Sequence, residues 1–180
     1  MKKLILLVLI CGPVLASAQT KTTDALQKKF SDSFTLFFYK NTLKMLNQTD
    51  NKEFDEMIKN IEKMKFMIID KEKKAFGPAD YKSLKKSYAS ETYEEIITSR
   101  HEGRNFDVLL KDKKGSSLGT VVLVNDSTNL YILDILGTID VRQAMKLFSA
   151  VDDNTEITNK IKSFMENGPS KKHGKKLTIN

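Results

Sequence analysis

One stretch limits the folds open to this chain more than any other: Tyr93 to Leu136. Four runs rich in Val, Ile, Leu, Phe and Tyr lie there, Tyr93–Ser99, Phe106–Lys111, Leu118–Asn125 and Leu130–Leu136. Short polar breaks separate them: His101-Glu102-Gly103-Arg104, Lys113-Lys114-Gly115-Ser116 and Asn125-Asp126-Ser127-Thr128. Runs of this length, joined by turns that carry Gly or Asx, are the signal of successive hairpins. The stretch therefore predicts a four-strand antiparallel meander. In its second strand, Phe106, Val108 and Leu110 share one face and Asp107, Leu109 and Lys111 the other, so one face of that strand is expected to meet water. Thr120 to Val124 is apolar on both faces and reads as central. Asp134 sits between apolar neighbours in the last strand and is expected at an exposed position near the strand end.

The residues before the meander read as additions to one edge of it. From Asp24, which is placed to cap, a short helix is expected with Leu26 and Phe30 on one face. Phe34–Tyr39 admits two readings. Phe30, Phe34 and Phe37 keep helical spacing, but aromatic density and the Ser31-Asp32-Ser33 break favour a strand. A helical turn or two follows over Asn41–Asn47. A second helix then places Phe54, Met57, Ile58 and Ile61 on one stripe. Lys65–Asp70 reads as an interior strand, and Gly77-Pro78 starts a helix that Asp80 can cap and that buries Tyr81, Leu84 and Tyr88. Strand–helix–strand order suggests a right-handed crossover between parallel strands. After the meander, Asp140 and Gln143 have capping-box spacing ahead of a stripe of Val141, Ala144, Met145, Phe148 and Val151. A final helix would run from Asp153 with Ile157, Ile161 and Phe164 buried, and Asn167-Gly168-Pro169 would stop it.

These elements define one α+β domain over residues 19–168: two layers, with a mixed, largely antiparallel sheet and helices packed mainly on one face. Residues 1–18 read as a signal peptide: Lys2 and Lys3, an apolar core from Leu4 to Leu15, and Ala16-Ser17-Ala18 before cleavage between Ala18 and Gln19. Cys11 follows the large, branched Ile10 inside that core, so simple cleavage is preferred over lipid attachment. The mature chain would then lack cysteine, and with it any disulfide or thiolate ligand. It has no further long apolar run, so no transmembrane segment is expected in it. The expected location is the periplasm or the exterior.

The formal charge of +7 falls to +5 once Lys2 and Lys3 are removed, and Lys171, Lys172, Lys175 and Lys176 supply four of the remaining charges. The domain itself is close to neutral, which argues against nucleic acid as a partner. The tail, residues 169–180, is expected to be disordered, and its four lysines are the candidate contact with an anionic envelope surface. No catalytic, cofactor or metal residue is assigned. The two histidines, His101 in an expected hairpin turn and His173 in the tail, lie on no rigid element. Glu91, Glu94, Glu95 and Glu102 read as solvated surface, and there is no Gly-x-Ser-x-Gly elbow or phosphate-cradling glycine loop.

Together the aromatic strand Phe34–Tyr39, the turn Leu43-Lys44-Met45-Leu46, the meander, and Ile135-Leu136-Gly137-Thr138-Ile139-Asp140 leading into Val141–Phe148 resemble a family of small exported bacterial proteins, the domain of unknown function 4252. That resemblance implies the fold and an envelope location, and it supplies no catalytic residues. Many relatives are lipoproteins with a lipobox, from which this sequence departs. The function expected is a non-enzymatic envelope protein that binds a partner, an envelope protein or an anionic surface, through a sheet face or strand edge. The alternatives are a periplasmic hydrolase or metal-assisted enzyme using Asp134 and Asp140 beside the sheet end, and a component of envelope stress regulation. A cleft gathering three or more polar side chains there would favour an enzyme, and an open polar face would favour binding.

Overall fold

The computed structural model describes residues 20–45, 47, 50–101, 103–113 and 116–152. The cleavage site, the final helix from Asp153 and the lysine tail lie outside the described residues. Among the described residues, six strands form one open sheet: β1 (Phe34–Tyr39), β2 (Ile61–Asp70), β3 (Glu94–His101), β4 (Arg104–Lys113), β5 (Ser116–Asn125) and β6 (Asn129–Gly137), in the order β1-β2-β6-β5-β4-β3. The helices are α1 (Lys21–Lys29), α2 (Lys40–Met45), α3 (Lys52–Ile58), α4 (Pro78–Ser90) and α5 (Val141–Asp152). The fold is α+β, with the meander β3–β6 where the sequence places it and Phe34–Tyr39 as a strand.

Every neighbouring pair is antiparallel, including β1 with β2 and β2 with β6, so the expected parallel crossover is absent and the sheet is not mixed. The physical reason lies in the connection. A crossover must carry the chain back along β1, about 20 Å for its six residues. The connection has the length to do so, but α2 and α3 pack against each other instead of running on in one direction, so the chain doubles back and re-enters the sheet at the end where it left. Ile61, expected on the helical stripe, instead opens β2.

Helices cover both faces rather than one. On the first face, Leu26 and Phe30 of the α1 segment and Tyr81, Leu84 and Tyr88 of α4 pack on Met67, Ile69, Leu109, Val121, Leu123, Leu130 and Ile132. On the second, Leu43 of α2, Ile58 of α3, and Ala144 and Leu147 of α5 pack on Met64, Phe66, Val108, Val122, Leu133 and Ile135. Strands β2, β5 and β6 are apolar on both sides, so each face must be closed to water. Asp107, on the β4 face expected to meet solvent, is buried beneath α4 for the same reason.

The element ends follow from local chemistry. Thr20, not Asp24, caps α1: its Oγ1 accepts from the Thr23 amide. Asn51 caps α3 through the Glu53 and Phe54 amides. Pro78 opens α4, and the Asp80 carboxylate accepts from the Gly77 amide at 3.0 Å. In the β5–β6 turn, Asp126 Oδ1 accepts from the amides of Thr128 and Asn129.

Candidate functional site

A transverse row crosses the α1/α4 face of the sheet. Register places Phe37 of β1 opposite Lys65 of β2, Lys65 opposite Asp134 of β6, and Asp134 opposite Val121 of β5. Lys65 and Asp134 are each only 1% exposed. Two opposite charges thus lie side by side in the interior, where an unpaired one would be costly.

Helix α1 supplies most of their partners. Lys65 Nζ donates to Asp24 Oδ1 at 2.5 Å and to Gln27 Oε1 at 3.0 Å, and it stands 5.1 Å from the centre of the Phe37 ring. Thr20 Oγ1 donates to Asp134 Oδ2 at 2.8 Å. The hydroxyl of Thr23 bonds that of Thr20 and lies 2.9 Å from the Tyr88 hydroxyl of α4. Burial raises the Asp134 carboxyl above its ordinary value, against the opposing pull of the Thr23 and Thr20 hydroxyls and the Lys65 charge. Burial, reinforced by the Asp134 charge, also holds the Tyr88 hydroxyl well above the ordinary tyrosine value.

A second buried carboxylate, Asp107, is held by α4 and β3. The Tyr81 hydroxyl donates to it, Thr98 Oγ1 does so at 2.8 Å, and Lys85 Nζ lies 3.4 Å away. Lys85 also pairs with Glu95 at 2.8 Å. Glu95 is held below the usual carboxylate range, first by its bond from Lys85 and then by Thr98. Burial and the Asp107 bond push the Tyr81 hydroxyl upward.

At the end of the sheet where β6 finishes, a cleft of about 550 Å³ opens to solvent. Lys40, Lys59 and Lys111 line it together with Glu62, Glu91 and Thr20. Its floor is set by close backbone packing. Gly137 has φ +113°, and a Cβ there would lie 2.3 Å from the Asn60 carbonyl oxygen. On one side the Lys111 ammonium stands 5.6 Å from the centre of the Tyr93 ring. Glu91, expected as solvated surface, accepts from the Lys21 and Thr22 amides at 2.9 and 2.6 Å, so it caps the first turn of α1 from the end of α4.

The cleft gathers more than three polar side chains at the sheet end, but the carboxylates expected there are not among them. Asp134 is buried and sealed by Thr20, not exposed as the sequence suggested. Asp140 instead stands at the start of α5, where its Oδ1 accepts from the Arg142 amide at 2.9 Å. The structure does not bring the two together. His101 is the last residue of β3, paired in register with Arg104. Among the described residues, no group of three or more His, Cys, Asp or Glu could hold a metal ion, and no helix is long and apolar enough to cross a membrane. Sequence reasoning missed Lys65, because the run Lys65–Asp70 shows it only as a polar flank. The signal that finds it is register, which sets it beside Asp134.

An open antiparallel sheet clad in helices on both faces, with buried charges tied down by an N-terminal helix and a polar cleft at one end, defines an α+β protein of the kind the sequence resembled. Residues 26–147 match the family described as Domain of unknown function (DUF4252), and the chain belongs to that family. No curated protein and no solved structure matches the chain.

Proposed function

We propose that this is a non-enzymatic, exported cell-envelope protein that serves as a binding module, with the sheet-end cleft as its recognition site. The observation that carries the reading is the division of labour among its charges. In the cleft, Lys40, Lys59 and Lys111 outnumber Glu62 and Glu91; Glu91 is engaged by the backbone of α1, and Lys59 also pairs with Glu56 at 2.5 Å. The cleft therefore suits a partner that presents acidic groups, on an envelope protein or an anionic envelope surface. Asp134, the carboxyl whose proton affinity is raised, lies behind Thr20, which lines the cleft in its place. The features at residues 1–18 support export.

The test is a pull-down from the native envelope fraction with the wild-type chain and a Lys59→Glu/Lys111→Glu variant, read by mass spectrometry. A specific partner retained by the wild type and lost by the variant is expected. Equal recovery by both removes the cleft from the reading.

The existence of a cleft with several polar groups supports a second reading, a hydrolase or metal-assisted enzyme in which Thr20 and Asp134 cooperate. A hydrolase screen with and without divalent metal distinguishes it: activity abolished by Asp134→Asn, in a variant that still folds, would establish the enzyme. A role in envelope stress regulation is a third reading, compatible with the first, and the identity of the captured partner decides it.

A further inference from the structure

The two edges of the sheet are unlike. Edge strand β3 carries Glu94, Glu95 and Arg100, and its pairing slips between Glu95 and Ile97, leaving Ile96 as an extra residue. Charges and bulges of this kind discourage another strand from adding to an edge. Edge strand β1 has neither. It reads Phe-Thr-Leu-Phe-Phe-Tyr without charge, proline or glycine, and it pairs with β2 in unbroken register from Phe34↔Ile68 to Tyr39↔Lys63. Two of its aromatic side chains are open to solvent, Phe37 at 39% and Tyr39 at 56%.

We propose that β1 is a self-association edge, on which β1 of a second copy of this chain adds antiparallel so that the two sheets become one. The surface is distinct from the cleft, and the proposal does not depend on the cleft's ligand.

Charge and symmetry choose both the occupant and the register. Asp32 lies just before β1 and Lys40 just after it; both are exposed, and Asp32 also bonds Lys74 of its own chain through Oδ2. A parallel partner would bring acid to acid and base to base. A two-fold partner reverses the strand and brings acid to base at both ends. If the two-fold axis is perpendicular to the sheet, each face of one copy continues into the same face of the other, and residues of one face must oppose one another. Placing Leu36 on that axis satisfies this requirement. Phe34 then opposes Phe38 of the second copy, Thr35 opposes Phe37, and Asp32 comes beside Lys40 at each end. The aromatic rings gain cross-strand neighbours in place of water.

An edge of six residues makes a small interface, so the association should be weak, with roughly micromolar dissociation. Sedimentation equilibrium of the wild-type chain over about 1–100 µM is expected to show a rise from one to two chain masses. Asp32→Lys and Lys40→Glu should each shift the chain to monomer, and the double variant should restore the dimer, because the swap regenerates both end pairs. Lys40 also lines the cleft, so mass and not ligand binding is the readout. A second measurement fixes the register. In a Cys11→Ser background, Leu36→Cys should be captured as a disulfide-linked dimer under mild oxidation, since directly opposed strand positions meet the Cα spacing of a disulfide. A wild type that stays monomeric throughout, even one that takes up a different protein along β1, overturns the proposal. So does a dimer that neither single charge reversal weakens.

Discussion

Replacing Lys65 by Met tests the account of the buried charges most directly. Methionine keeps most of the side-chain volume, so little cavity is created. What changes is the charge. Asp24 is about half exposed and regains water when Lys65 is lost. Asp134 is 1% exposed and cannot. Its carboxylate would keep the Thr20 bond but lose the opposite charge on the neighbouring strand. Breaking a buried pair from one side costs about 3–5 kcal/mol. Because Asp24 and Gln27, not Asp134, make the direct bonds to Lys65, the lower end applies, about 3 kcal/mol at pH 7. In a domain of this size, that lowers the melting temperature by roughly 6–12 °C.

The pH dependence has a definite sign. Asp134 has a folded-state value above its unfolded one, so its favourable contribution is fully present below the unfolded value and is lost as pH rises through the folded value. Removing Lys65 raises the folded value further, because that charge holds it down. The deficit of the Lys65→Met variant should therefore shrink between pH 7 and pH 4. A Lys65→Met/Asp134→Asn double variant should recover most of it at pH 7, since no buried charge is then left alone. Urea denaturation of the three proteins at both pH values measures this. A Lys65→Met chain as stable as wild type at pH 7, or a double variant no better than the single, would refute the reasoning.

Three further outcomes follow from backbone geometry and capping. Gly137→Ala should destabilise by at least about 2 kcal/mol in urea titration, because φ is +113° and the new methyl meets the Asn60 carbonyl, which is backbone and cannot swing aside. Glu91→Ala removes the acceptor of two α1 amides and should cost about 1 kcal/mol, with faster hydrogen exchange at Lys21 and Thr22 read by NMR. Thr92 is β-branched at φ 67°, so Thr92→Gly should raise the unfolding free energy read by urea titration, by about 0.5–1 kcal/mol.

The outline of the sheet was legible because its strands are local in sequence and their turns carry explicit signals. Asp126 and Gly103 mark hairpins whatever the rest of the chain does. The aromatic run Phe34–Tyr39 and the Gly77-Pro78 start of α4 were legible for similar reasons. The direction of β1 against β2 was not. Strand–helix–strand order suggests a parallel pair, and the sequence does not show that α2 and α3 fold back on each other and return the chain to the end it left. The second helical layer was implied by the two-sided apolarity of β2 and β5, a signal that demands cover on both faces. The buried charges were the least legible part. Lys65 and Asp134 are 69 positions apart, and each alone looks like a polar residue at the margin of an apolar run. Register makes them neighbours, and α1 shields them.

The attachments of α1 bear on the order in which the chain can acquire its fold. Lys65, Glu91 and Asp134 hold residues 41, 69 and 114 positions earlier: Asp24, Thr22 and Thr20. The first of the described helices thus lacks part of its docking surface until β6, which pairs with β2, has been made. Nine residues are too few for a stable helix in water without such a surface. Its last attachment can form only once β6 is made, and closing it onto the sheet is a late event that joins residues 114 positions apart.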